Sequence, residues 1–298
     1  MSIPMNHECY LCHLRRNTEI ARELGGEDAA TAFARDLMEL YVRSPKEKGS
    51  PWFGPGVTAL LEKHCGLRTD RFKEEKELSN LFVLERLDTI RSRIQQADDP
   101  VYAGAQMAVL GNYIDFSALR GEVSFEKLEQ MLTQAEQILL DQENYKLLCA
   151  DLQKGGKLLY LTDNAGEIGF DRLFAEEIHR KYPQIEITFC VRGGPASNDA
   201  TREDAAAVKL PFPLLDNGTT IAGTEPDTLP PETKHAFDTA DIILSKGQAN
   251  VETLYGCGKN IYYLFLIKCP RFAHFFGKAK LSPMLLREQA SAALPAEF

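Results

Sequence analysis

The run from 157 to 177, KLLYLTDNAGEIGFDRLFAEE, constrains this chain more than any other stretch. Leu158 to Thr162 reads as a buried strand, and Asp163-Asn164-Ala165-Gly166-Glu167 as a sharp polar turn. After the turn, Ile168, Phe170, Leu173, Phe174 and Ile178 recur at three- and four-residue spacing, the mark of one helical side. A strand feeding a helix through a short loop is half of a βαβ unit, and ligands in such folds gather where the strands end. Two acids, an amide oxygen and the backbone N–H groups of a helix start meet at this point. That chemistry suits a hard cation and a phosphate.

The same period returns later in the chain. Ile185 to Val191, Ile242 to Ser245 and Ile261 to Ile267 are short apolar runs separated by helical patterns, and Leu214-Leu215 before Asp216-Asn217-Gly218 adds a further strand. Buried strands alternating with helices mean a mostly parallel sheet covered on both faces.

The earlier part lacks strands. Helices are expected over 9–24, ending at Gly25-Gly26, over 28–43, 57–64, 71–96, 101–110 and 124–152, with a surface loop over 44–55 and a break at Asp98-Asp99-Pro100. The reading is an all-helical N-terminal domain (1–100) followed by an α/β domain (101–298), a Rossmann-like α/β/α sandwich.

Four polar clusters follow the four main strands: Asp163 to Glu167; Arg192-Gly193-Gly194 with Asn198-Asp199-Ala200-Thr201; Ser245 to Asn250; and Lys268-Cys269-Pro270. A parallel sheet places all these ends along one edge, so residues a hundred positions apart share one crevice. Asp163 and Asp199 offer anionic oxygens and Asn164 a neutral one, a set that suits Mg²⁺ or Mn²⁺. Lys246 is a point charge for phosphate, and Arg192 adds a fork. Backbone N–H groups near Gly166 and Gly193, with Ser245, complete the expected anion cradle. Glu167 is placed as general base or as an acceptor behind the metal. The plainer reading is that Asp-Asn and Asn-Asp before helices only cap them. Coincidence of four clusters at one edge weighs against it.

A chain of 298 residues with net charge −9 has no basic excess for nucleic acid. Its longest apolar run near the C-terminus is too short for a bilayer, and the start MSIPMNHECY has no apolar signal core. The expectation is a cytoplasmic protein. Seven cysteines do not suggest a disulfide framework.

The motifs DNAGEIGFD (163–171), RGGPASNDAT (192–201), SKGQANVETL (245–254) and GNYIDF (111–116) together resemble the DUF89 family of damage-control phosphatases related to the ARMT1-like domain. The similarity runs from the ECYLC start through Cys269. It implies a helical region on a Rossmann-like domain and hydrolysis of small phosphate esters (sugar phosphates, nucleotides or damaged metabolites) with a bound divalent metal (Mg, Mn, Co or Ni). Carried over by motif, the metal ligands fall on Asp163, Asn164 and Asp199, the active-site lysine on Lys246, and cleft-lining residues on Asn112 and Asp115. Ala249 and Val251 stand where members often have Gly and an aromatic. A branch of the family pairs an N-terminal CxxC with a later Lys-Cys, which implies a second site of Cys9, Cys12 and Cys269, against packing cysteines as the alternative.

Two other functions compete. A methyltransferase or nucleotide-cofactor enzyme would share the fold, but no GxGxxG follows the first strand. A non-catalytic metal-binding regulator would bind without turnover. A haloacid-dehalogenase-type phosphatase is disfavoured because Ala165 stands where its second acid belongs.

Overall fold

The computed structural model describes residues 2–67, 70–115 and 123–288. Its helical part comprises α1 (His7–Arg43), α2 (Gly54–Cys65), α3 (Lys73–Leu84), α4 (Leu87–Gln96), α5 (Pro100–Gly111), α6 (Phe125–Thr133) and α7 (Gln142–Lys154). The α/β part follows as β1 (Gly156–Leu161), α8 (Glu167–Lys181), β2 (Ile185–Val191), α9 (Arg202–Ala207), β3 (Leu214–Asp216), α10 (Pro231–Thr239), β4 (Ile242–Lys246), α11 (Gln248–Leu254), β5 (Ile261–Leu266), α12 (Pro270–Phe276) and β6 (Pro283–Arg287). No helix among the described residues is long and apolar enough to cross a membrane.

The sheet order is β3-β2-β1-β4-β5-β6. The first five strands in the chain pair in parallel, and β6 lies antiparallel on β5. The chain steps from β1 outward to β3, then returns to β4 on the other side of β1. Such a reversal opens a crevice beyond the strand ends, here between β1 and β4. Residues alternate across the sheet as the pleat requires. Leu158, Tyr160, Leu244 and Leu264 pack with α5 and α8, whereas Leu159, Leu161, Ile243 and Phe265 pack on the opposite face with α10, α11 and α12. Phe82, Val83, Leu87, Ile90 and Ile94 of α3 and α4 join the first of these cores, while α1 and α2 form a cluster of their own.

The first helix bends at Gly26, whose φ of 81° is outside the helical region, so the expected break at Gly25-Gly26 stands within one element. Two expected long helices are each divided. The stretch 71–96 stops at Leu84 and restarts at Leu87. The stretch 124–152 is interrupted because side chains of α5 capture its backbone: Gln106 Nε2 donates to Ile138 O at 2.7 Å, and Tyr102 Oη accepts from Leu140 N at 2.9 Å. Asp141 then caps α7 by accepting from Asn144 N at 2.8 Å. The expected surface loop 44–55 holds a 3₁₀ turn at Ser50–Phe53 and the start of α2. β6 was not expected. It opens on Pro283 and is only partly buried, so no continuous apolar run marks it.

Candidate active site

The loops after β1 and β2 are stitched together by their backbones. Ala200 N donates to Asp163 O at 2.7 Å and Ala165 N to Asn198 O at 2.9 Å, and Asn164 pairs with Asp199 as an isolated bridge. This pairing brings Asp163, Asn164 and Asp199 side by side, all three buried. Gly247, at the end of β4, has φ +80°, and a Cβ there would stand 2.0 Å from Asp163 Oδ2. Only glycine lets the chain pass so close to that carboxylate.

Each of the two carboxylates has one occupied oxygen and one open one. Asp163 Oδ2 accepts from Asn112 Nδ2 and from Asn164 Nδ2, both at 2.9 Å. Asp199 Oδ2 accepts from Arg192 Nε at 2.6 Å. Oδ1 of either residue accepts no hydrogen bond among the described residues. Asn164 Oδ1 takes one bond, from Asn198 Nδ2 at 2.9 Å, which holds the amide with its oxygen presented. Burial, and next the neighbouring Asp199 charge, push the Asp163 carboxyl well above the usual range. Burial raises Asp199 as well, although Arg192 opposes it.

The donor set fits a hard divalent cation: two carboxylate oxygens and an amide oxygen, with room left in its coordination shell for other oxygens. The surrounding charge fits too. Among the described residues, Asp115, Asp163, Glu167, Asp171 and Asp199 are five buried carboxylates, against three buried cations in Arg192, Lys246 and Lys268. When all are ionised, negative charge outnumbers positive among these described groups, and buried charge of one sign in excess is costly. No three His, Cys, Asp or Glu side chains among the described residues form a ligand set by themselves, so a cation held here would need the amide of Asn164 as a third donor.

Several residues expected to act on substrate are committed elsewhere. Glu167, expected as a base, is fully buried and saturated. Its Oε2 accepts from Asn164 N at 3.2 Å, Asn164 Nδ2 at 2.7 Å and Asn112 Nδ2 at 3.0 Å, and its Oε1 from Lys246 Nζ at 2.6 Å and Asn112 Nδ2 at 3.1 Å. It therefore holds the two asparagines in place, the alternative role the sequence left open. Lys246, expected on the phosphate, donates to Ala108 O at 2.8 Å, Glu167 Oε1 at 2.6 Å and Asp171 Oδ1 at 2.6 Å. An ammonium has three donors, and all are used. The expected backbone cradle is likewise taken. Gly166 N donates to Asn80 Oδ1 at 2.7 Å, and Gly193 N to Thr219 O at 3.0 Å and Asn217 Oδ1 at 2.9 Å. Ser245 is buried with an unpartnered hydroxyl, and strand alternation puts it on the opposite side of the sheet from Lys246.

Arg192 keeps its expected place. Its guanidinium is fully buried, Nε is anchored on Asp199, and Nη1 and Nη2 have no hydrogen-bond partner among the described residues, with Nη2 3.8 Å from Asp163 Oδ1. Asn112 and Asp115 also reach the crevice. Asn112 Oδ1 accepts from Leu266 N at 3.0 Å, and Asp115 Oδ2 from Lys268 Nζ at 2.6 Å. Phe116, the last residue of that motif, lies outside the described residues.

Three supporting residues escaped sequence reasoning: Asn80, Asp171 and Asp204. Asp171 stands one helical turn after Glu167, a spacing that puts both acids on one side of α8. Asn80 Nδ2 donates to Asp204 Oδ1 at 2.8 Å, and Asp204 Oδ2 accepts from Thr201 N at 2.8 Å. Together they tie α3 to both loops.

Among the described residues, no group of three metal-binding side chains includes Cys9, Cys12 and Cys269. All seven cysteines are free. Cys9 Sγ accepts from Arg271 Nη1 at 3.1 Å, and Cys269 Sγ from Gln248 Nε2 at 3.4 Å and Phe272 N at 3.5 Å. Cys12 is exposed, and no three-ligand cluster includes it. Burial pushes the Cys269 thiol up to about 11, away from the reactive thiolate.

Comparison with known proteins places the chain in a family. The family model for the damage-control phosphatase ARMT1-like domain matches residues 5–282. A damage-control phosphatase of Archaeoglobus fulgidus is 36% identical over 215 residues, 70% of this chain and 72% of the relative. One from Pyrococcus horikoshii is 32% identical over 276 residues, 90% of this chain and 93% of the relative. The crystal structure of a DUF89 family protein from Pyrococcus horikoshii superimposes with a TM-score of 0.79 at 27% identity, covering 96% of this chain and all of that one. A Rossmann-like sheet preceded by helices is thus the frame of a known enzyme class. The chain belongs to the damage-control phosphatase ARMT1-like family.

Proposed function

We propose that this protein is a cytoplasmic, divalent-metal-dependent phosphatase acting on phosphate esters of small metabolites. The observation that carries the reading is the pair of buried carboxylates, Asp163 and Asp199, each with one oxygen left open beside the amide of Asn164. In this reading Asp163, Asn164 and Asp199 hold the ion. Once bound, it would supply Lewis acidity toward a phosphoryl oxygen and toward water.

The chain's own residues do the rest. Glu167 orients Asn112 and Asn164, and through them fixes which way the Asp163 carboxylate faces. Arg192, anchored by Asp199, directs two unpartnered amino groups at an incoming anion. An Arg fork pre-organised in this way binds phosphate with little loss of side-chain freedom. The names of the Archaeoglobus and Pyrococcus relatives support phosphatase chemistry.

The test is hydrolysis of p-nitrophenyl phosphate, then of sugar phosphates and nucleotides, with Mg²⁺, Mn²⁺, Co²⁺ or Ni²⁺. Turnover is expected only with a divalent ion, and Asp163→Asn and Asp199→Asn are expected to abolish it while remaining folded. Full activity in a chelator, or undiminished activity in both variants, would overturn the proposal.

A further inference from the structure

Two lysines lie buried in the crevice, and their surroundings differ in one decisive respect. The ammonium of Lys246 is saturated by Ala108, Glu167 and Asp171. That of Lys268 is 2% exposed as a side chain and, among the described residues, donates a single hydrogen bond, to Asp115 Oδ2 at 2.6 Å. An ammonium carries three N–H groups, so two remain unused in a place almost closed to water. A buried donor left without a partner costs free energy unless a ligand completes it.

The position of Lys268 follows from the strand that delivers it. Leu264 and Leu266 of β5 face α5 and α8, while Phe265 and Ile267 face the other side. Continuing the alternation brings Lys268 to the side where Asn112 accepts from Leu266 N. Lys268 N is pinned by Gln248 Oε1 at 3.1 Å, which fixes the residue's entry. Asp115, Asp163 and Glu167 are the charges that act on its ammonium, so it looks into the carboxylate cluster from the β5 side. Arg192 looks in from the β2 side.

We propose that Lys268 is the ammonium that contacts the phosphoryl group of the substrate, opposite Arg192, and that Lys246 only braces Glu167. The proposal rests on the phosphatase reading above. It assigns Lys268, not the lysine of the SKGQAN motif, to the anion. Asp115 holds Lys268 in place before substrate arrives, and the two unused N–H groups turn to phosphoryl oxygens as they enter.

The experiment compares the full-length wild-type chain with Lys268→Met, using inorganic phosphate as the probe. Folding is checked by thermal melting and Mn²⁺ binding by electron paramagnetic resonance. Phosphate affinity is measured as competitive inhibition and directly by titration calorimetry with Mg²⁺ present. Lys268→Met is expected to bind Mn²⁺ at least as well as wild type, to lose about tenfold or more in phosphate affinity, and to lose ~10²-fold in kcat/KM, the scale of removing one donor to a developing oxyanion. Phosphate affinity and kcat/KM both within about twofold of wild type would overturn the assignment. If the variant does not fold, the wild-type chain decides. Saturating phosphate should slow acetylation of Lys268 by acetic anhydride, read by mass spectrometry, and unchanged labelling overturns the proposal. If the wild-type chain hydrolyses no ester with any divalent ion, the phosphatase reading fails separately, and calorimetric phosphate binding still judges Lys268.

Discussion

Lys246 Nζ and Asp171 Oδ1 meet at 2.6 Å with neither side chain exposed to solvent. The same ammonium lies 2.6 Å from Glu167 Oε1, so one cation separates two acids that stand a single helical turn apart on α8. Removing it leaves both carboxylates uncompensated in the core. Lys246→Met is therefore expected to cost about 3–5 kcal/mol in urea unfolding. The double variant Lys246→Met/Asp171→Asn should be less destabilised than the sum of the two single changes, because the second removes one of the stranded charges. Simple additivity would show that the pair is not coupled.

Asp171 also gives the fold a measurable pH dependence. Burial, reinforced by Glu167 and only partly opposed by Lys246, lifts its carboxyl from the usual 3.8 to about 7. The folded chain then binds this proton more tightly than the unfolded chain does. The stabilisation is fully present below the unfolded value near 4 and is lost as pH rises through about 7. Relative to Asp171→Asn, wild-type stability should decline from pH 4 to 7 and level off above. A difference between the two chains that stays flat across that range would contradict the assignment.

Asn80 links α3 to both loops of the candidate site, accepting from Gly166 N at 2.7 Å and donating to Asp204 Oδ1 at 2.8 Å. Asn80→Ala removes both bonds and leaves buried groups unpaired. A loss of roughly 2–4 kcal/mol is expected from one neutral and one charged partner. Divalent-ion affinity should fall as well, because Asn164 and Asp199 lie on the loops that Asn80 braces. Urea unfolding and Mn²⁺ titration together check this, and intact affinity would confine Asn80 to stability alone.

Gly247→Ala sets a methyl group against Asp163 at a backbone angle that L-residues rarely adopt. The strain is about 1–3 kcal/mol. Relief by moving the Asp163 carboxylate should weaken metal binding more than an alanine at Gly258 does, where a Cβ would meet nothing within 4 Å at a similar φ. Equal metal affinity in the two variants would show that the carboxylate does not depend on this close approach.

The sheet was legible because buried parallel strands write continuous apolar runs between turn residues, as in Leu158–Leu161 and Ile261–Ile267. The partly buried β6 writes no such run. The break inside 124–152 is imposed by Gln106 and Tyr102 of α5, which no local pattern in that segment encodes. At the site, Asp163, Asn164, Arg192 and Asp199 could be found because strand ends converge. The work of Lys246 could not, because its partner Asp171 lies within a helix, where an acid ordinarily marks the solvated side. Asn80 was hidden for the same reason: a polar residue in α3 reads as surface until Gly166 and Asp204 are seen packed against it.

The weakened acidities of Asp163 and Asp199 bear on how this protein should be handled. If the ion is held as proposed, protons and metal would seek the same oxygens, and loading with metal should liberate acid into the buffer. Chelation and mild acid would then be a single stress reached from two directions, and a preparation stripped by either would have taken up protons where the charge was missing.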